Sequence, residues 1–316
     1  MGVSVVIPAY NAGAFINDAI ASVLRQKAPA EEIIVINDGS TDRDYTELRH
    51  IHPSIRVINQ SNRGVSAARN AGCDAARSDH IAILDADDIW LPGKLRVQMH
   101  HLRENPQIDA IFCLGRQWTP EPGTNEPPML EPPTQDDSPP AATPLAYSDF
   151  LCSVAVYPST MVVKKSVWTS IGGFDERMRY GEDRDFYLRL SYRHRTALLD
   201  CIGMLYRKHP ASATAVIQHR NHWADTIKRA VQTLGLTDQF GRPVDQVKLK
   251  RHLSLVHFMH GYDHFWFGSF QVARQEFAHA TRMAPLAPRT LTYLALSCTP
   301  GIRSAVRRSR PFRYHQ

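Results

Sequence analysis

Three carboxylates close the stretch Ile81-Ala82-Ile83-Leu84-Asp85-Ala86-Asp87-Asp88, and the residues before them are apolar. Such a run between polar flanks reads as a strand buried on both faces. Clustered acids at its end deliver negative charge to the rim of a sheet, where open α/β folds bind ligands. In extended chain Asp85 and Asp87, two residues apart, point the same way. Convergent carboxylates suit a hard divalent cation such as Mg²⁺ or Mn²⁺, which takes oxygen ligands and bridges phosphates. The structural alternative is an acidic loop in which Asp88 caps the helix opened by Trp90-Leu91-Pro92.

Four more stretches carry polar groups that could meet such a site. Asn37-Asp38-Gly39-Ser40 follows the apolar Ile33-Ile34-Val35-Ile36, so Asp38 is either a ligand-facing acid or a turn residue beside Gly39. Arg69 sits in a helix of small residues (Ala67, Ala68, Ala71, Gly72, Ala75, Ala76), either solvated or aimed at a diphosphate. Glu182-Asp183 follows Gly181 and opens a helix, where first-turn acids also complement the macrodipole. Tyr206-Arg207-Lys208-His209 places basic groups in another loop.

Alternating strands and helices must position these groups. Val3-Ser4-Val5-Val6-Ile7-Pro8 reads as a buried strand, Ala9-Tyr10-Asn11-Ala12-Gly13 as a turn, and Asn11 as a cap for a helix carrying Phe15, Ile16, Ala19, Ile20 and Val23. With Ile33-Ile34-Val35-Ile36 this makes a βαβ unit. Arg56-Val57-Ile58 reads as an edge strand, and Pro92 as a first-turn proline of a helix that runs to about Glu104. Ala110-Ile111-Phe112-Cys113-Leu114 and Thr160-Met161-Val162-Val163 read as strands. So do Thr196-Ala197-Leu198-Leu199 and, separately, Met204-Leu205-Tyr206. Between residues 120 and 144 proline, acids, Thr and Ser replace the apolar pattern, so a mobile insertion is expected over about 118–147. From about Gln218 the pattern is helical. Phe270, Ala273, Phe277 and Ala280 before Pro285 resemble one tetratricopeptide-type hairpin. The chain thus divides into an α/β domain, residues 1–215, and a helical extension, residues 216–316, with a basic tail.

With 316 residues, 43% apolar and 22% charged, the composition is that of a globular protein. A formal charge of +6 permits an anionic partner. Five cysteines at irregular spacing show no metal or disulfide pattern, so a reducing, cytoplasmic compartment is expected. The first residues carry no basic n-region and no run approaches a membrane span, so neither a signal peptide nor a transmembrane helix is expected. Arg303, Arg307, Arg308, Arg310 and Arg313 make the tail a candidate for peripheral contact with anionic lipid at the inner membrane face.

No glycine-rich phosphate loop follows the first strand, which argues against a dinucleotide or P-loop enzyme. Four stretches together resemble family 2 glycosyltransferases: Val5-Val6-Ile7-Pro8-Ala9-Tyr10-Asn11, Asn37-Asp38-Gly39-Ser40-Thr41-Asp42, Leu84-Asp85-Ala86-Asp87-Asp88 and Gly181-Glu182-Asp183. Asn62-Arg63-Gly64, Ala68-Arg69-Asn70 and Gly172-Gly173-Phe174-Asp175 are similar to the family's intermediate blocks. The resemblance implies a GT-A fold: a Rossmann-like, mostly parallel sheet flanked by helices, here with an α-helical C-terminal extension. It implies an inverting, metal-dependent, hexosyltransferase-type enzyme of cell-surface polysaccharide or glycoconjugate synthesis. A nucleotide-sugar, a UDP-sugar first, is the expected donor, a carbohydrate or lipid-linked hydroxyl the acceptor, and Mn²⁺ or Mg²⁺ the cofactor. No nucleic-acid partner is expected.

Carried over residue by residue, the resemblance makes Asp38 the acceptor from the nucleotide base, and Pro8, Ala9, Tyr10, Asn11, Arg63, Gly64 and Ala86 the lining of the nucleotide site. Asp85 would hold the ribose, Arg69 contact the nucleotide, and Asp87 ligate the metal, with His209 near it. Asp183 matches the acid that deprotonates the acceptor hydroxyl, and Glu182 would orient it. Asn37 departs from the pattern, standing where many members have a first Asp. Two rivals remain: a nucleotidyltransferase, which wants a Gly- and Lys-bearing loop that Ala9 to Phe15 does not offer, and a non-catalytic sugar-nucleotide-binding scaffold, which needs no base.

Overall fold

The computed structural model describes residues 2–26, 28–121, 127–128, 140–212, 216–299, 301–302 and 305. They form two compact units, Met1–Phe150 with Ala155–Lys208, and Leu151–Val154 with His209–Gln316.

The first unit opens with β1 (Val3–Ala9), α1 (Ile16–Leu24) and β2 (Glu32–Asp38). Every residue of β1 is buried, as expected of a central strand covered on both faces. Then come β3 (Ile55–Gln60), α2 (Val65–Ala75), β4 (His80–Ile83), β5 (Ile89–Trp90) and α3 (Lys94–Glu104). After β6 (Ala110–Trp118) follow β7 (Ala142–Leu145), α4 (Tyr147–Cys152), β8 (Val162–Lys164), α5 (Lys165–Ile171), α6 (Glu182–Arg193) and β9 (Thr196–Arg207).

The nine strands make one sheet in the order β3-β2-β1-β4-β8-β6-β9-β5, with β7 also on β9. Pairing is parallel through β3-β2-β1-β4 and between β6 and β9. It is antiparallel where β8 joins β4 to β6, and where β5 and β7 meet β9. Because β8 reverses twice, β6 and β9 run the same way as β4. The carboxyl ends of β1, β2, β4, β6 and β9 therefore share one rim.

Four local expectations change. Asn11 does not cap α1, whose N-cap is Phe15; it takes a left-handed φ of 50° and accepts the Thr41 N–H through Oδ1 at 2.8 Å. Asparagine tolerates that conformation better than most residues. Pro92 precedes α3, which starts at Lys94 behind a left-handed Gly93. Thr196 to Tyr206 is one strand, not two. It continues through Gly203, where a Cβ would collide with Cys113 of β6, so the glycine marks a close approach and not a break. The insertion is also shorter than expected: Ala142, Thr143 and Pro144 pair with Leu199, Leu198 and Ala197 on the sheet edge, where proline is tolerated. Residues 122–126 and 129–139 of the insertion lie outside the described residues, as do 303–304 and 306–316 of the basic tail.

The second unit carries α7 (His222–Leu234), α8 (Gln246–Phe267), α9 (Phe270–Met283) and α10 (Pro288–Cys298). Ala273, Phe277 and Ala280 of α9 are buried against Phe258, Tyr262 and Phe265 of α8. That is the hairpin read from their spacing. No helix among the described residues is long and apolar enough to cross a membrane.

Candidate active site

Asp85 does not continue β4 as an extended residue. The strand ends at Ile83, and Asp85 to Asp88 form a turn closed by the Asp88 N–H donating to the Asp85 carbonyl at 3.0 Å. Within this turn the Asp85 and Asp88 carboxylates take different partners. Arg69 grips Asp85 with two nitrogens: Nη2 donates to Oδ1 at 2.8 Å and Oδ2 at 3.0 Å, and Nε to Oδ1 at 3.2 Å. Asp88 is buried; it accepts the Ser159 hydroxyl at 2.6 Å and the Arg207 backbone N–H at 3.3 Å, so it caps no helix. Asp87 remains partly exposed.

Arg69 is buried, not solvated. Its remaining nitrogen, Nη1, donates to Glu182 Oε1 at 2.9 Å, and its guanidinium lies 5.2 Å from the Phe174 ring centre. The α6 end reaches Arg69 because the loop before it docks on α2: Asn70 accepts the Phe174 N–H at 2.9 Å and donates to the Phe174 carbonyl at 2.9 Å. Gly181, at φ 76°, then turns the chain so that Glu182 and Asp183 head the helix.

These charges act on one another. Burial pushes the Asp85 carboxyl up against the pull of Arg69, and Asp87 and Asp183 add to the rise. Asp88 is driven well up by burial, then by Asp87 and Asp85. Burial raises Glu182 to about 7, with Asp183 adding and Arg69 opposing. Two buried guanidiniums, those of Arg69 and Arg207, thus stand among five acids, counting Asp85, Asp87, Asp88, Glu182 and Asp183. Burial and mutual repulsion favour the protonated forms of Asp85, Asp88 and Glu182.

Glu182 gives a stability test with a definite sign. A folded pKa raised from 4.5 to about 7 stabilises fully below the unfolded value and is lost as pH rises through 7. Glu182→Gln removes that loss, so in EDTA it is expected to match the native protein near pH 5 and exceed it near pH 8 by about 1–3 kcal/mol. Melting curves across that range check it; equal stability of both proteins at pH 8 overturns the assignment.

On the other side of the rim, Asp38 is buried at the end of β2. Its Oδ1 accepts Gln60 Nε2 at 2.7 Å and the Arg63 N–H at 2.9 Å, and its Oδ2 accepts the Gly64 N–H at 2.9 Å. Asp38 therefore shapes the loop that contains Arg63 and Gly64. The Arg63 side chain turns to Glu176 instead, at 2.7 Å. Pro8 and Ala9 are buried in β1, and Tyr10, 55% exposed, stands just beyond them. Ala86 is buried in the turn. His209 opens the longer segment of the second unit, His209–Gln316, where its carbonyl accepts the Ser212 N–H at 3.0 Å.

Ser159 was not legible in the sequence, and Arg207 was legible only as one of the basic groups of its loop. Ser159 joins two of the acids, donating to Asp88 and accepting the Asp85 N–H at 3.0 Å. Nothing in Tyr157-Pro158-Ser159 announces that role. Arg207 had one signal, its place just past an apolar run.

A sheet with parallel β3-β2-β1-β4 and acids at its carboxyl rim agrees with the GT-A fold that the sequence resemblance implies. Residues 4–149 match the model of glycosyl transferase family 2. Over 227 residues the chain is 32% identical to EpsJ, a glycosyltransferase of Bacillus subtilis (strain 168), covering 68% of this chain and 63% of that one. It is 25% identical over 247 residues to the chondroitin synthase of Escherichia coli, covering 74% of this chain and 33% of the synthase. The match therefore spans less than two thirds of either relative. Residues 1–349 of S. aureus TarS, solved in complex with UDP-GlcNAc, share the fold at a TM-score of 0.64 and 16% identity, over 99% of this chain and 93% of that one. Residues 4–149 of the chain belong to glycosyl transferase family 2.

Proposed function

We propose that this protein transfers a sugar from a nucleoside-diphosphate sugar, UDP-linked by preference, to a hydroxyl of a carbohydrate or lipid-linked acceptor, with inversion. One observation carries the reading: Asp85 and Glu182, from elements 97 residues apart, are drawn to one buried arginine, with Asp87 and Asp183 beside them. Asp183 is the general base toward the acceptor hydroxyl, which contributes about 10²–10⁴-fold. Arg69 holds Asp85 toward the ribose and Glu182 beside the base, so it positions other residues instead of touching the nucleotide. Family membership and the UDP-GlcNAc complex of TarS support a nucleotide-sugar donor.

The donor set fits Mn²⁺ or Mg²⁺. Among the described residues no three His, Cys, Asp or Glu side chains gather into a cage. Mg²⁺ sites commonly use one or two carboxylates with substrate phosphates and water, and partly exposed Asp87, close enough to Asp85 and Asp88 to raise both, matches that need. When bound, the ion would neutralise charge on the departing diphosphate. The basic tail remains a proposed contact with anionic lipid.

A panel of nucleotide-sugars incubated with Mn²⁺ and no acceptor tests the reading. Slow release of a nucleoside diphosphate from one donor is the expected result. Tight binding with no release from any donor, and no transfer to any hydroxyl acceptor, would favour the non-catalytic scaffold.

A further inference from the structure

Arg207 is a fully buried arginine on the rim of the site, and its surroundings are unusual for a structural residue. Its Nε donates to the Asp87 carbonyl at 3.0 Å, its Nη2 to Asp18 Oδ2 at 2.8 Å, and its backbone N–H to Asp88 Oδ1 at 3.3 Å. The guanidinium lies 5.0 Å from the ring centre of Phe15 and 4.6 Å from that of Trp118. Nη1 is enclosed without a protein hydrogen-bond partner. A buried cation with one open donor is costly unless something is gained from its placement.

The geometry points to Arg207 as the residue that positions Asp87. The inference rests on the reading of Asp87 as a metal ligand. Arg207 fixes the backbone on which that carboxylate is mounted. With the Asp87 carbonyl held by Nε and Asp88 tied to the backbone N–H of the same arginine, the last two residues of the turn cannot rotate independently. Asp18 of α1 and the two flanking rings hold the guanidinium in its turn. An arginine is needed because a planar fork can serve two acceptors at once while lying between aromatic faces. A lysine supplies the charge from a single point and cannot. The added cation also offsets part of the repulsion among Asp85, Asp87 and Asp88.

The test separates positioning from general structural support by measuring UDP affinity calorimetrically with Mn²⁺ and with EDTA. Two variants of the full chain are used: Arg207→Lys, and Asp18→Ala, which cuts the anchor at a half-exposed helix position that tolerates alanine. Both are expected to weaken the Mn²⁺-dependent affinity, Arg207→Lys by about 10-fold or more, as losing a residue behind a ligand typically does. Affinity in EDTA should stay within error of the native protein, since the Asp38 side of the site is untouched. Asp18→Ala with unchanged Mn²⁺-dependent affinity overturns the inference, whatever Arg207→Lys does. Equal losses with and without metal overturn it as well, showing a general structural role. If the native protein itself binds UDP without regard to Mn²⁺, the metal reading of Asp87 fails and this inference falls with it.

Discussion

Asp183→Asn is expected to bind the nucleotide-sugar donor almost normally and to turn over on the order of 10²-fold or more slowly. Asparagine keeps the size of the side chain and can still accept the Arg184 N–H that Asp183 now receives at 2.6 Å. It cannot take a proton. Asp38, Asp85 and Asp87 are unaltered, so the donor keeps its contacts and only the step that needs a base suffers. Single-turnover kinetics with donor titration separate the two quantities. A parallel loss of donor affinity and rate makes Asp183 part of the binding shell. Full activity moves the base elsewhere, to Glu182 first and Asp185 second.

Asp87→Ala is expected to remove the Mn²⁺-dependent part of UDP binding while the fold survives. Asp87 is partly exposed, and its backbone contacts with Arg207 and the turn do not need the carboxylate. Removing one of several like charges also relieves Asp85 and Asp88, each pushed up by Asp87. Melting temperature should therefore hold or rise. Calorimetry showing undiminished, metal-dependent affinity in the variant takes the metal away from Asp87.

Local pattern was enough to find the chemistry but not its geometry. Ile81 to Leu84 followed by acids marks a buried strand reaching a rim, and Gly181 before two acids marks a helix start. Both are properties of a few adjacent residues. Arg69 was unreadable in the same way because its partner Glu182 lies 113 residues on, and no local rule distinguishes a solvated helix arginine from one paired across the fold. Ser159 and the partners of Arg207 were hidden for the same reason, since each residue meets the Asp85-to-Asp88 turn from far along the chain, Ser159 from a short turn before β8 and Arg207 from the end of β9. The expectation of an extended chain through Asp85 and Asp87 changed because hydropathy locates a strand but not its last residue, which here is Ile83. Tertiary pairing also joined what composition divided: β9 runs through Asp200 and Gly203, and Pro144 sits in an edge strand.

The two ends of the proline-rich insertion are fixed to the same strand. Trp118 pairs with Arg207 and Ala142 with Leu199, positions roughly 26 Å apart along β9 at about 3.3 Å per residue. About eight extended residues would cover that span, yet the chain places residues 119–141 between them. Closing the sheet does not require the surplus. Chain length at this position is decoupled from the architecture, so relatives could lengthen or shorten it without shifting the register of β7 or the acids on the rim. It is a natural place for a common catalytic frame to diversify, and for a reporter or affinity tag to be grafted.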